Sequence, residues 1–120
     1  MATAIPIFRI FDYQKAKEFY LDWLGFQIDW EDKPDDAPVY LQISLQGIIL
    51  HLSEHHGDCC PGGRIHIESF DDLKNYHRNL LRKKYKYMKP GIGKTPRDSK
   101  TLCMEVTDPF GNRLTFTGNE

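Results

Sequence analysis

Asp12-Tyr13-Gln14-Lys15-Ala16-Lys17-Glu18-Phe19-Tyr20-Leu21-Asp22-Trp23-Leu24-Gly25 and Ser69-Phe70-Asp71-Asp72-Leu73-Lys74-Asn75-Tyr76-His77-Arg78-Asn79-Leu80-Leu81 decide the fold of this chain. In the first, Ala16, Phe19, Tyr20, Trp23 and Leu24 recur at i, i+3, i+4, i+7 and i+8, one apolar stripe on a helix. Asp12 is the expected N-cap, and Gly25 suits a left-handed stop. The second stretch repeats the stripe at Leu73, Tyr76, His77, Leu80 and Leu81, a uniform shift of 57 residues. A start at Ser69 is expected, with Asp72 three residues on as a weak capping box. Arg82, Lys83 and Lys84 follow where cations favour a helix C-terminus.

Each helix is flanked by strand-type runs. Ile5 to Phe11 precedes the first, and Phe26 to Glu31, Val39 to Leu45 and Ile48 to Ser53 follow it. Arg64 to Glu68 precedes the second. A weak segment near Tyr85 to Met88, then Thr101 to Thr107 and Arg113 to Thr117, follow that one. The last two strands of each half meet at a turn, Gln46-Gly47 in one and Asp108-Pro109-Phe110-Gly111-Asn112 in the other, both hairpin signals. The order is β-α-β-β-β, twice, an internal repeat. The expected class is α+β, one domain over residues 1–120, with module one at about 4–54 and module two at about 63–118.

Composition narrows the function. At 120 residues the chain supports one core. The net charge of -1 gives no support for a nucleic-acid or membrane-surface partner, which needs a basic excess. No apolar run reaches the roughly 20 residues of a membrane span, and Met1 to Pro6 lacks the pattern of a signal peptide, so a cytoplasmic protein is expected. The three cysteines form no CxxC spacing and are expected as reduced thiols, with Cys103 as a small buried residue. His55 and His56 are expected to be exposed in the loop between modules. No Gly-x-Ser-x-Gly elbow is present.

With the repeat and the Asp108 to Asn112 turn in hand, a family resemblance follows. The chain resembles the vicinal-oxygen-chelate superfamily of glyoxalases, extradiol dioxygenases and bleomycin-resistance proteins. Ala4-Ile5-Pro6-Ile7, Ala16, Glu18-Phe19-Tyr20, Leu24-Gly25-Phe26 and Phe70-Asp71-Asp72-Leu73 are similar to the bleomycin-resistance branch. The resemblance implies that the modules form a concave mixed sheet, that two copies make a homodimer, and that grooves draw on both. It implies that Pro6 is the hinge where the first strand crosses to the partner. The residue alone equally allows an ordinary edge-strand proline.

Metal-dependent relatives take ligands from four equivalent positions, which the resemblance sets at Ile5, His51, Arg64 and Thr115. Ile has no lone pair, Arg is a permanent cation, and Thr is a weak ligand for Zn or Fe. One good donor in four falls short of the three a catalytic metal normally needs, so no metal and no other cofactor is expected. A second set, His51, His66 and Glu68, offers two imidazoles and a carboxylate. It would make the chain a divergent metal-dependent glyoxalase- or dioxygenase-like enzyme.

The leading expectation is a non-enzymatic binding protein that sequesters a small molecule. Strand alternation nominates Trp30, Tyr40, His51, Arg64, His66 and Arg113 as groove residues, along with Ile7 and Arg9. Trp30 matches an aromatic groove position of the bleomycin-binding relatives. The aromatic residues suit a flat or amphipathic ligand, though each can equally serve core packing. Acidic residues from Asp29 to Asp36 suit a cationic, bleomycin-like glycopeptide if they lie at a groove mouth. Arg64 and His66, where such relatives carry tryptophan, point instead to an anionic or neutral ligand.

Overall fold

The computed structural model describes residues 2–86, 88–96 and 98–119. In chain order the elements are β1 (Ile7–Arg9), α1 (Tyr13–Lys17) with a π-helical continuation (Glu18–Trp23), β2 (Gln27–Asp32), β3 (Tyr40–Leu45) and β4 (Ile48–Ser53). The second half gives β5 (Arg64–Ile67), α2 (Leu73–Arg82), β6 (Gly93–Lys94), β7 (Thr101–Thr107) and β8 (Arg113–Asn119). Two four-stranded sheets result, with strand orders β1-β4-β3-β2 and β5-β8-β7-β6. In each, the outer strand before the helix runs parallel to the last strand of its half, and the other pairs are antiparallel. This is the expected pair of βαβββ modules.

The chain divides into two compact units, Met1–Gly63 with Asp108–Asn112, and Arg64–Thr107 with Arg113–Glu120. In the first, alternation sends Phe8, Leu41, Ile43, Leu50 and Leu52 to one face, all buried, as are Phe19, Tyr20, Trp23 and Leu24 of the helix. Burying each such side chain contributes roughly 1.5–3 kcal/mol. Asp12 caps as expected, its Oδ1 accepting from the Lys15 N–H at 3.0 Å. The helix widens after Lys17, with the Leu24 N–H donating to the Phe19 carbonyl five residues back. The rings of Tyr20 and Trp23, at 4.8 and 5.4 Å from that of Phe19, fill the space beneath it. At the β3–β4 hairpin, Gln46 (φ 48) and Gly47 (φ 83) both take positive φ, the turn that matches strand twist.

In the second unit Leu102, Met104, Val106, Leu114 and Phe116 form the buried face, under Phe70, Leu73 and Leu80. Here α2 starts at Leu73 rather than Ser69. Ser69 (φ 58) and Asp72 (φ 51) are left-handed, a conformation a helix does not propagate, and Asp72 makes no side-chain cap. The Phe70 N–H instead bonds to the Thr117 carbonyl at 2.9 Å. The short strand of this half forms at Gly93–Lys94 and not near Tyr85 to Met88; Tyr87 of that stretch lies outside the described residues. Among the described residues no helix is long and apolar enough to cross a membrane.

Candidate functional site

The open face of the first sheet gathers three of the nominated residues. Trp30 and Tyr40 stack with ring centroids 5.9 Å apart and planes 10° apart, and His51 meets both edge-on at 5.3 and 5.2 Å. Ile7 pairs in register with His51 on this face, and Arg9 donates to the His55 carbonyl at 2.8 Å. The register of β2 and β3 explains how Trp30 arrives there. Ile28 pairs with Ile43 and Trp30 with Gln42, so Asp29 is an extra residue, a β-bulge. Unbroken alternation from Phe26 and Ile28 would carry Trp30 to the core face. The bulge flips it outward, where it is 46% exposed.

A hydrogen-bond chain organises this wall. Asp29 accepts from Gln42 Nε2 at 2.9 Å and from Ser44 Oγ at 2.8 Å, and these bonds hold its carboxyl below the usual range, as an anion. Gln42 is thereby oriented with Oε1 toward His51 Nε2, at 3.0 Å. His51 must donate from Nε2, which leaves Nδ1 to accept from the Tyr40 hydroxyl at 2.6 Å. Burial pushes the imidazole pKa down and the phenol pKa up, so both are neutral near pH 7. Asp29 enters the sequence analysis only as the first of an acidic run, and Gln42 and Ser44 not at all, although the alternation Tyr40, Gln42, Ser44 against Leu41, Ile43, Leu45 carries the signal. His55, expected to be exposed, is half-buried with its ring 6.3 Å from Tyr40.

Proton titration by NMR is expected to give His51 a pKa below 6.5 and an Nε2–H tautomer. The sign follows from the depressed value: stability from the neutral ring is present above its unfolded pKa and declines as pH falls toward the folded one. An Nδ1–H tautomer, or a pKa above 6.5, would contradict this network.

The second unit carries a cavity of about 660 Å³ on its open face, walled by Arg64, His66, Glu68, Cys103, Thr115 and Thr117 among others. Arg64 reaches Thr115 Oγ1 at 3.5 Å, and His66 Nε2 lies 3.9 Å from Glu68. Arg113 pairs with Arg64 in register but does not line the cavity; it turns to Glu105 at 3.6 Å. Cys103, expected to be buried, faces this cavity because Leu102 and Met104 take the core side. All three cysteines are free thiols.

The residues present do not fit a catalytic metal. Within the first sheet Ile7 pairs in register with His51, and within the second His66 pairs with Thr115. Both nitrogens of His51 are already engaged. Among the described residues no three His, Cys, Asp or Glu side chains gather as ligands, the trio His51, His66 and Glu68 included.

A sequence profile described as glyoxalase superfamily protein matches residues 1–120. Among solved structures, a bleomycin-binding protein from bleomycin-producing Streptomyces verticillus, complexed with copper(II)-bleomycin, is 26% identical. It superposes with a TM-score of 0.69, covering 100% of this chain and 98% of that one. A bleomycin resistance determinant encoded on the transposon Tn5 is 20% identical with a TM-score of 0.70, over 100% and 99% of the two chains. An antibiotic-binding protein from Streptomyces sp. CB03234 is 19% identical with a TM-score of 0.69, over 99% and 98%. No curated protein matches the sequence.

Proposed function

The chain belongs to the glyoxalase superfamily, and on that footing we propose that it is a cytoplasmic, metal-free binding protein that sequesters a small amphipathic aromatic molecule. The observation that carries this reading is the stacked pair of Trp30 and Tyr40 on an open sheet face, with Trp30 46% exposed. An exposed, rigid aromatic wall braced by a closed hydrogen-bond chain presents a flat apolar surface without a nucleophile or a free base. The Asp29 anion beside it favours a cationic ligand group, and bleomycin, which the Streptomyces verticillus relative binds, is the first candidate. A homodimer would complete the groove, with Pro6 as the hinge of an exchanged first strand; in this chain alone, β1 pairs with its own β4 and the Pro6 carbonyl accepts from the His51 N–H at 3.0 Å.

Tryptophan fluorescence tests the reading directly, because the two tryptophans differ: Trp23 is buried and Trp30 is not. Titration with bleomycin is expected to quench emission saturably in the unmodified protein and in Trp23→Phe. In Trp30→Phe the quenching should vanish and affinity fall roughly tenfold or more, the loss of about 1.5 kcal/mol or more of ring contact. Equal quenching with and without Trp30, or a stoichiometric transition metal in elemental analysis of the purified protein, would sink it.

A further inference from the structure

The net charge of -1 conceals a division. Residues 74 to 100 hold ten of the 16 Lys and Arg and one of the 17 Asp and Glu, Asp98, leaving this stretch at +9 and the rest of the chain at -10. Within it, the C-terminal end of α2 and the loop after it enclose a second cavity of about 530 Å³, the size of a small-molecule site. Its floor is Leu80, Leu81, Tyr85 and Met88, and its rim is Lys84, Lys86 and Lys89. None of the described residues that line it is acidic. This cavity lies on the opposite side of the second sheet from the one lined by Arg64, His66 and Glu68. α2 lies on the Phe116 side of the second sheet, as the 5.7 Å ring contact of Tyr76 with Phe116 records, whereas Thr115 and Thr117 face the other side.

We propose that this cavity binds a small anionic amphiphile, a single carboxylate, sulfate or phosphate head on an acyl or aryl body. The apolar floor supplies contact for the body, and Leu81, 42% exposed on an otherwise charged helix surface, is covered by it. The rim supplies the counter-charge. The α2 C-terminus places about half a negative charge nearby, which three ammonium groups outweigh. A polyanion would use the lysines but leave the floor without a partner, so a small ligand with both parts fits better than a nucleic-acid backbone.

Dodecyl phosphate, kept below its micellar concentration, is the probe, read by amide shifts in NMR. Saturable shifts at Leu80, Leu81 and Met88 are expected, weakened by salt. Dodecyltrimethylammonium, with the same tail and opposite charge, should leave these amides unmoved. Lys84→Glu with Lys89→Glu should weaken binding roughly tenfold or more. Leu81→Ser, a change on the surface, should weaken dodecyl phosphate but not inorganic phosphate; circular dichroism confirms that each variant is folded. The proposal fails if the cationic detergent binds as well, if the shifts fall elsewhere, or if phosphatidylglycerol vesicles or duplex DNA bind where the monomeric amphiphile does not. The Trp30 quenching experiment is untouched by any of these outcomes.

Discussion

Replacing Asn112 with alanine is expected to cost roughly 3–5 kcal/mol. Asn112 is fully buried. Its Oδ1 accepts from the Gly63 N–H at 3.0 Å, and its Nδ2 donates to the Arg9 carbonyl and to Asp108 Oδ2, each at 2.8 Å. Alanine removes the side-chain partner of the Gly63 N–H and of the Arg9 carbonyl and one of two donors to Asp108 Oδ2, which keeps the Tyr20 hydroxyl at 2.7 Å; each orphaned buried group costs about 1–3 kcal/mol. Burial pushes the Asp108 carboxyl pKa up, against the opposing pull of the donors from Asn112, Tyr20 and Phe110, and one of those donors disappears. Thermal unfolding should shift down by on the order of 15 °C for a domain of this size. Asn112→Asp makes the sharper test. It keeps the Oδ1 acceptor but sets a second carboxylate against Asp108, so it should be worse than alanine at neutral pH. It should recover as pH falls through the carboxylate range, where protonating the introduced group restores a donor. A loss below about 1 kcal/mol for alanine would mean that water replaces the side chain.

The second large effect is steric. A Cβ added at Gly118 would lie 2.4 Å from the Phe70 carbonyl oxygen and 3.4 Å from Leu73 Cβ. The first of these is backbone and cannot rotate away. The Thr117 carbonyl beside it already holds the Phe70 N–H at 2.9 Å, so β8 and the segment entering α2 are fixed at this spacing. Gly118→Ala must push them apart, and should cost about 3 kcal/mol or more. Gly93→Ala is the matched control in the same sheet. Nothing lies within 4 Å of its added Cβ, and alanine there should be neutral or stabilising by up to about 1 kcal/mol, through the unfolded chain. Denaturant titration of the two variants separates the readings; equal midpoints would remove the steric argument.

Both effects sit where the chain makes contacts across long separations, which marks the limit of what periodicity can give. The helical stripe of Ala16, Phe19, Tyr20, Trp23 and Leu24, the alternation in β3, β4 and β7, and the Gln46-Gly47 turn are set by residues within a turn or two of each other. They were legible in the linear order and suffice for the α+β class and the doubled βαβββ plan. The resemblance, and not periodicity, placed Trp30 in a groove; unbroken alternation would have sent it to the core face.

What the amino-acid sequence determined by itself is most of the elements and their apolar faces. Tertiary structure decided which side of β2 carries Trp30, through a one-residue bulge against β3, and which proton His51 holds, through Gln42 and Asp29. It also decided that Asn112 bonds to Arg9, 103 positions away. The reason is physical. Side-chain periodicity is a local property of the backbone, whereas register, bulges and buried hydrogen bonds are settled by partners that only the folded chain brings within reach.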